Sequence, residues 1–214
     1  MFMAPGSVHE KIISWVGSNR TVLDVGCASG YLGAEIKKMN NKVFGIEISA
    51  KAAEEAKMAL DSVLVGNIEE IDLPYAEKQF DVIICADVLE HLFNPSVVLE
   101  KLRKYLKDDG FMIISVPNIA HWSIRLELLF GRFDYQKSGI LDDGHIRFYT
   151  AKNIRKAIHA AGFDVVSDES VLSLPKGFNR LFNYIGLSKL IRFVFPNLFI
   201  AQFLFLAQKS KRAI

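Results

Sequence analysis

The sequence predicts a doubly wound, mostly parallel α/β sheet of seven strands with helices on both faces. Three observations carry that prediction. Short apolar runs alternate with segments of helical periodicity from Arg20 to Val116, joined by short connections. The run Phe80–Ala86 is almost continuously apolar, as a strand buried on both faces must be. Finally, 214 residues with 50% hydrophobic and 23% charged side chains suit one well-buried domain, 1–214.

The elements follow in order. Val8, Ile12, Trp15 and Val16 fall on one face of a helix within Ser7–Asn19. Strand 1 is expected at Arg20–Val25, and the next helix buries Leu32, Ile36 and Met39. Strand 2 covers Lys42–Ile48, and Ser49 caps an alanine-rich helix reaching Leu60. Strand 3 is Ser62–Gly66 and strand 4 is Phe80–Ala86. Asn94-Pro95 opens a helix that Asp108-Asp109-Gly110 ends, and strand 5 is Phe111–Val116. The alternation then pauses over 118–149, about thirty residues, longer than an ordinary connection and therefore expected to be a lid. It resumes with a helix at Thr150–Ala161, a strand at Phe163–Leu172, a helix within Gly177–Phe195 and a strand at Leu198–Gln208.

Several function classes are disfavoured by composition. A net charge of +2, with basic residues mixed among acids, argues against a nucleic-acid partner. Phe193–Ala207 is interrupted by Pro196, Asn197 and Gln202 and falls short of the ~20 residues a membrane span requires. Met1–Gly6 lacks the basic and apolar regions of a secretory signal. Two cysteines, Cys27 and Cys85, on separate strands or their ends argue against a disulfide framework and for a reducing cytoplasm. No metal-ligand set is expected.

The stretch Val22-Leu23-Asp24-Val25-Gly26-Cys27-Ala28-Ser29-Gly30-Tyr31-Leu32-Gly33 is the most informative in the chain. It orders a strand, a turn of bare backbone and a helix start whose free N–H groups face a ligand. The glycines are spaced G-x-x-x-G-x-x-G, not the G-x-G-x-x-G that seats a pyrophosphate. An acid just ahead of them suits a ligand carrying an ammonium and a sugar.

This run resembles motif I of the class I S-adenosylmethionine-dependent methyltransferases, with Ala28 where that family more often has glycine. The resemblance extends over Val22–Gly162. It includes Glu47 ending strand 2, Phe80-Asp81-Val82-Ile83 leading into Asp87-Val88-Leu89-Glu90-His91-Leu92, and His145-Ile146-Arg147-Phe148-Tyr149-Thr150. The branch it looks like holds the ubiquinone-biosynthesis O-methyltransferases and many bacterial small-molecule enzymes.

The resemblance implies S-adenosylmethionine as cofactor, a Rossmann-like methyltransferase fold and a small-molecule acceptor, with O-methylation favoured. Gly26 and Gly30 let backbone approach the methionine part, Asp24 contacts its amino-acid end, and Cys27 and Tyr31 flank the turn. Glu47 is expected to accept from both ribose hydroxyls, with Ile48 beside it. Asn67 and Ile68 fall where the adenine amino group is met, and Ala86 and Asp87 line the adenine or the transfer channel. His91 and His145 are candidate bases. Asn118, His121, Trp122, Arg125 and Arg147 are candidate acceptor contacts, the arginines suiting a carboxylate or phosphate. A β-branched residue at Gly26 is expected to block the cofactor without unfolding the domain. Two rival readings remain: a noncatalytic protein that binds the cofactor and engages a partner, and an NAD-dependent oxidoreductase or epimerase. The missing dinucleotide spacing and the lack of an evident Tyr-x-x-x-Lys pair count against the second.

Overall fold

A computed structural model describes residues 7–173, 194, 195 and 197–211. The helix expected within Gly177–Phe195 lies, apart from its last two residues, outside the described residues. Eight strands form one sheet: β1 (Thr21–Val25), β2 (Lys42–Glu47), β3 (Ser62–Val65), β4 (Phe80–Ala86), β5 (Leu106–Pro117), β6 (Phe163–Asp168), β7 (Val171–Leu172) and β8 (Ile200–Lys209). Their order is β3-β2-β1-β4-β5-β8-β6, with β7 also on β8. The pairs from β3 to β5 are parallel, and β8 runs antiparallel to its neighbours.

Six helices are described: α1 (Val8–Val16), α2 (Tyr31–Lys37), α3 (Ala50–Lys57), α4 (Pro95–Tyr105), α5 (Trp122–Leu129) and α6 (Ala151–Ala160). The strand period of two sends alternate residues to opposite faces. Val22, Val82, Ile84 and Ile113 meet Ile12, Val16, Ile36 and Ala56 of α1–α3. Leu23, Ile83, Met112 and Ile114 meet Leu99 and Leu102 of α4 and Ile154 and Ile158 of α6. Cys27 and Cys85 are free, buried, and belong to opposite faces, so the sheet itself separates them. Among the described residues, no helix is long and apolar enough to cross a membrane.

Two expectations change. The single strand expected at Phe163–Leu172 is split, which raises the count from seven to eight. The Asp168 carboxylate accepts from the Ser170 amide (3.0 Å) and hydroxyl (2.5 Å), and the Ser170 hydroxyl accepts from the Leu204 amide (3.1 Å). A side chain thus replaces ladder bonds and breaks the strand. At the other change, α4 ends at Tyr105 rather than in Asp108-Asp109-Gly110, because Leu106 already pairs with Phe80 in the sheet. A Cβ on Gly110 would lie 2.9 Å from the Asp81 carbonyl, so the bare backbone is what permits that close pairing.

The chain moves outward through β2 and β3 on one side of β1, then through β4 and β5 on the other. The reversal between β1 and β4 opens a crevice at the carboxyl ends of the strands, where ligands of such sheets bind.

Candidate active site

The turn after β1 is clamped from both ends. Gly26 and Cys27 both donate to the Ile46 carbonyl (2.8 and 3.1 Å), and the Ala28 amide donates to Glu47 Oε2 (2.9 Å). Glu47 Oε1 accepts from the amide of Ser49, the N-cap of α3 (2.8 Å). Glu47 therefore ties the glycine turn to the next helix while spending about half of a carboxylate's acceptor capacity of roughly four bonds. Gly26 and Gly30 both have positive φ (70° and 80°). A Cβ on Gly26 would sit 2.7 Å from Val88 Cγ2. Valine there would have to displace Val88 and hold a left-handed backbone, which sets a folding cost against the expected separation of binding from folding.

A cleft of about 430 Å³ lies over these strand ends, lined by Gly26, Glu47, Asn67, Val88, Asp87 and His91 among others, with Ile48 and Phe93 adding apolar surface. Asp24 is fully buried beneath the turn. Burial first, and the Glu47 charge second, push its carboxyl up to about 7. Its Oδ2 has no hydrogen-bond partner.

S-adenosylmethionine fits these groups. The orphaned Asp24 oxygen calls for a donor or cation, Glu47 has capacity left for ribose hydroxyls, and Ile48, Val88 and Phe93 offer apolar surface to an adenine. Of the expected cofactor contacts, Gly26, Glu47, Ile48, Asn67, Ile68 and Asp87 line the cleft, and Asp24 lies beneath it. Cys27, Gly30, Tyr31 and Ala86 are not among the cleft's lining residues, although Tyr31 feels the charges of Asp24 and Asp87. Cys27 points into the core, its Sγ 2.6 Å from where a Gly45 Cβ would be. Gly30 packs on Ala56, and the Tyr31 hydroxyl bonds His9 Nε2 (2.9 Å). The Asn67 amide oxygen accepts from the Glu69 amide (3.0 Å), a local turn that competes with the expected adenine contact.

A second cavity of about 350 Å³ shares Asp87 and His91 with the first. Its remaining lining comes from Glu90, Pro117, Ala201 and Gln202, and from Gly139, Ile140, Asp142 and His145 of the 118–149 segment. His91 Nδ1 faces the Gly144 carbonyl (2.9 Å) and His145 Nδ1 faces the Ile140 carbonyl (3.1 Å). A carbonyl can only accept, so each Nδ1 carries its proton and each Nε2 keeps the lone pair when the ring is neutral. Gln202 Nε2 donates to both Asp87 oxygens (2.7 and 2.8 Å), and the Ser115 hydroxyl donates to Asp87 Oδ1 (3.0 Å). These bonds hold Asp87 in the left-handed backbone region (φ 55°).

Glu90 is fully buried, and neither carboxyl oxygen has a hydrogen-bond partner among the described residues. Burial, with the Asp87 charge second, pushes its carboxyl up to about 9. His145 Nε2 is 3.9 Å from Glu90 Oε1, and the His91 and His145 rings meet edge to face at 4.8 Å. One ligand atom from each of these three residues lies within 4.8 Å of the others. Donors sharing a zinc-sized ion sit closer, at about 3–3.5 Å for bonds near 2.1 Å.

The expected acceptor contacts do not converge on this cavity. The buried Asn118 side chain donates to the Asn197 and Ile200 carbonyls (3.0 and 2.6 Å) and accepts from the Ala120 amide (3.0 Å). His121 and the Trp122 indole both reach the Ser173 carbonyl (3.0 and 2.9 Å), and His121 also bonds the Ser123 hydroxyl (2.8 Å). Arg125 donates to the Ala120 carbonyl (2.8 Å) and Arg147 to the Phe93 carbonyl at the cofactor cleft. These side chains are absorbed in holding the segment down. Only His145 of the expected residues in 118–149 lines the cavity. Glu90, Asp142 and Gln202 were missed. Glu90 belonged to the Glu-His-Leu segment, and Gln202 was the polar interruption of an apolar strand, which was the available signal.

Comparison with known proteins now places the chain. Residues 7–168 match the methyltransferase domain family, and the chain belongs to that family. An uncharacterised protein of Methanocaldococcus jannaschii is 34% identical over 163 residues, covering 68% of this chain and 62% of that one. The ubiquinone biosynthesis O-methyltransferase of Paraburkholderia xenovorans is 29% identical over 116 residues, half of each protein. The chain thus spans about half to three-fifths of the length of these curated relatives. A solved S-adenosylmethionine-dependent methyltransferase from Archaeoglobus fulgidus superposes with a TM-score of 0.67 at 18% identity, over 94% of this chain and 90% of that one. The fold is therefore that of the class I S-adenosylmethionine-dependent methyltransferases, whose cofactor is S-adenosylmethionine.

Proposed function

We propose that this chain transfers a methyl group from S-adenosylmethionine to a small-molecule acceptor, a hydroxyl in preference to nitrogen or carbon, bound in the second cavity. The carrying observation is that the cofactor cleft and the second cavity share Asp87 and His91. A donor in one and an acceptor in the other would meet across that common wall.

The bound cofactor supplies an activated methyl on a sulfonium, so the protein's task is alignment and proton handling. The glycine turn, Glu47 and Asp24 hold the donor; residues 139–145 cover the acceptor and exclude water. A hydroxyl must lose its proton as the carbon–oxygen bond forms and the carbon–sulfur bond breaks. His91 is the residue for that proton, because its Nδ1–H is committed to Gly144 and its Nε2 is left as acceptor. The hydroxyl preference also has support from the O-methyltransferase among the relatives. Residues 118–149 act as the acceptor lid, tied at its end by the Ile146 and Arg147 amides to the Glu90 carbonyl (both 2.9 Å).

The test is calorimetry with S-adenosylmethionine, its demethylated product and NADH, followed by turnover on a panel of hydroxylated and aminated small molecules. Binding of the first two alone with turnover of hydroxyl compounds is expected. Cofactor binding without any turnover would favour the noncatalytic reading. His91→Ala should lower kcat about 10²-fold or more with cofactor affinity within a few-fold.

A further inference from the structure

Both carboxyl oxygens of Glu90 are buried without a hydrogen-bond partner among the described residues. A buried carboxyl with no partner on either oxygen is rare in folded proteins, because each unmet polar atom costs the full desolvation penalty. Such a group demands a physical account, and a ligand that completes it is one.

Its surroundings say what that ligand is. Asp87, Glu90, Asp142, the two histidines and Gln202 line the cavity, and neither lysine nor arginine is among its described lining residues. Hydrogen-bond acceptors are in excess. The Gln202 amide, which could donate, is spent on Asp87, and the histidine Nδ1 protons are spent on Gly144 and Ile140. The described lining therefore offers no positive charge while holding three carboxyl groups, and its one uncommitted donor is the proton that burial keeps on Glu90. A carboxylate or phosphate placed there would meet the charges of Asp87 and Asp142 with no cation among the described lining residues to offset them. An ammonium has three donors and no acceptor, the complement of this wall. The volume, about 350 Å³, falls at the small end of the range for organic ligands.

We infer that the methyl acceptor carries an ammonium or comparable cationic group, and that Glu90, with the Nε2 of His145 beside it, is the residue that selects for it. This rests on the second cavity being the acceptor site. Burial keeps Glu90 protonated near neutral pH in the empty cavity. An arriving ammonium displaces that proton to solvent and leaves a paired, hydrogen-bonded carboxylate. The arginines that sequence patterning offered to an anionic acceptor are engaged elsewhere, Arg125 with Ala120 and Arg147 with Phe93.

The experiment uses three catechols that differ only in the group at the end of a two-carbon arm: dopamine, 4-ethylcatechol and 3,4-dihydroxyphenylacetate. Binding to the whole chain saturated with S-adenosylhomocysteine and kcat/KM with S-adenosylmethionine are both measured. The cation should bind at least tenfold more tightly than the anion, with the neutral compound between. Glu90→Gln should bring cation and neutral compound to within about threefold, chiefly through KM, with cofactor affinity unchanged. Equal or reversed preference between cation and anion overturns the inference, as does absence of binding by all three. The wild-type series decides this even where the variant fails to fold. Binding that requires a divalent metal and is abolished by a chelator would also overturn it, by giving Glu90 and the histidines to an ion. Failure to bind S-adenosylhomocysteine at all would instead strike the methyltransferase reading itself.

Discussion

Ala28 holds a left-handed backbone conformation (φ 48°) at a position where the family more often has glycine. Its amide is needed by Glu47, so the strain is maintained by the turn's own anchoring. Ala28→Gly should raise the stability of the ligand-free protein by about 0.5–1.5 kcal/mol, the conformational gain exceeding the added freedom of the unfolded chain. Denaturant titration checks it, and a loss of stability would mean that the methyl group packs. Asp24 gives a pH signature. Its folded pKa of about 7 lies above the ordinary 3.8, so the folded state holds the extra proton between those values. Stability from this group is therefore full below about pH 4 and is lost as pH rises to 7, on the order of 4 kcal/mol in all. Asp24→Asn should show a smaller fall in stability than wild type between pH 5 and pH 8, while binding S-adenosylmethionine about 1.5–3 kcal/mol more weakly. An unchanged difference between the two pH values would remove Asp24 from the account.

Elements were legible in the sequence where local pattern and tertiary demand coincided. The apolar run of β4 and the Ser49 cap of α3 are of that kind: each needs only its neighbours to define it. The break between β6 and β7 was not, because it depends on Ser170 meeting Leu204 from a strand 34 residues away. The same reason explains the site. Gly26 and Glu47 end adjacent strands, and strand ends are readable from periodicity. The partners of His121 and Trp122 are not, since both rings converge on the carbonyl of Ser173, some fifty residues on. Asn118, His121, Trp122, Arg125 and Arg147 read as acceptor contacts, and in the structure their hydrogen bonds fasten the segment. His121 makes the distinction testable. Burial lowers its pKa below the usual 6.5, so the unfolded chain takes up the proton first and stability falls as pH drops through 6.5. His121→Ala should cost about 1–3 kcal/mol of stability at pH 8, less at pH 5, with acceptor KM within a few-fold. A large rise in KM in a stably folded variant would return His121 to the acceptor site.

At the scale of the whole molecule, the two cavities share Asp87 and His91, and the 118–149 segment lines the second of them while Arg147 reaches Phe93 at the edge of the first. Its two ends bridge Asn118 to Tyr149, so the segment is anchored at a single edge of the sheet. Its last residues look toward the cofactor, since Arg147 holds the carbonyl of Phe93 in the cofactor cleft. Gly139, Ile140, Asp142 and His145 look toward the second cavity. A lid that moved as one body would respond equally to either ligand. The observed attachments instead divide it, because the Ile146 and Arg147 amides are fixed to the Glu90 carbonyl while the hydrogen bonds of residues 139–145 run chiefly within their own turn, to Gln136 and to His91. Hydrogen exchange should resolve the two parts. S-adenosylhomocysteine alone should slow the amides of residues 146–149, by stabilising Phe93 and the turn it faces. Residues 139–145 should slow only when an acceptor that supports turnover is bound as well, because their opening is what admits it. Equal protection of both parts by S-adenosylhomocysteine would show that the segment closes as a unit on the cofactor. The second cavity would then be a consequence of that closure and not a separately gated acceptor site.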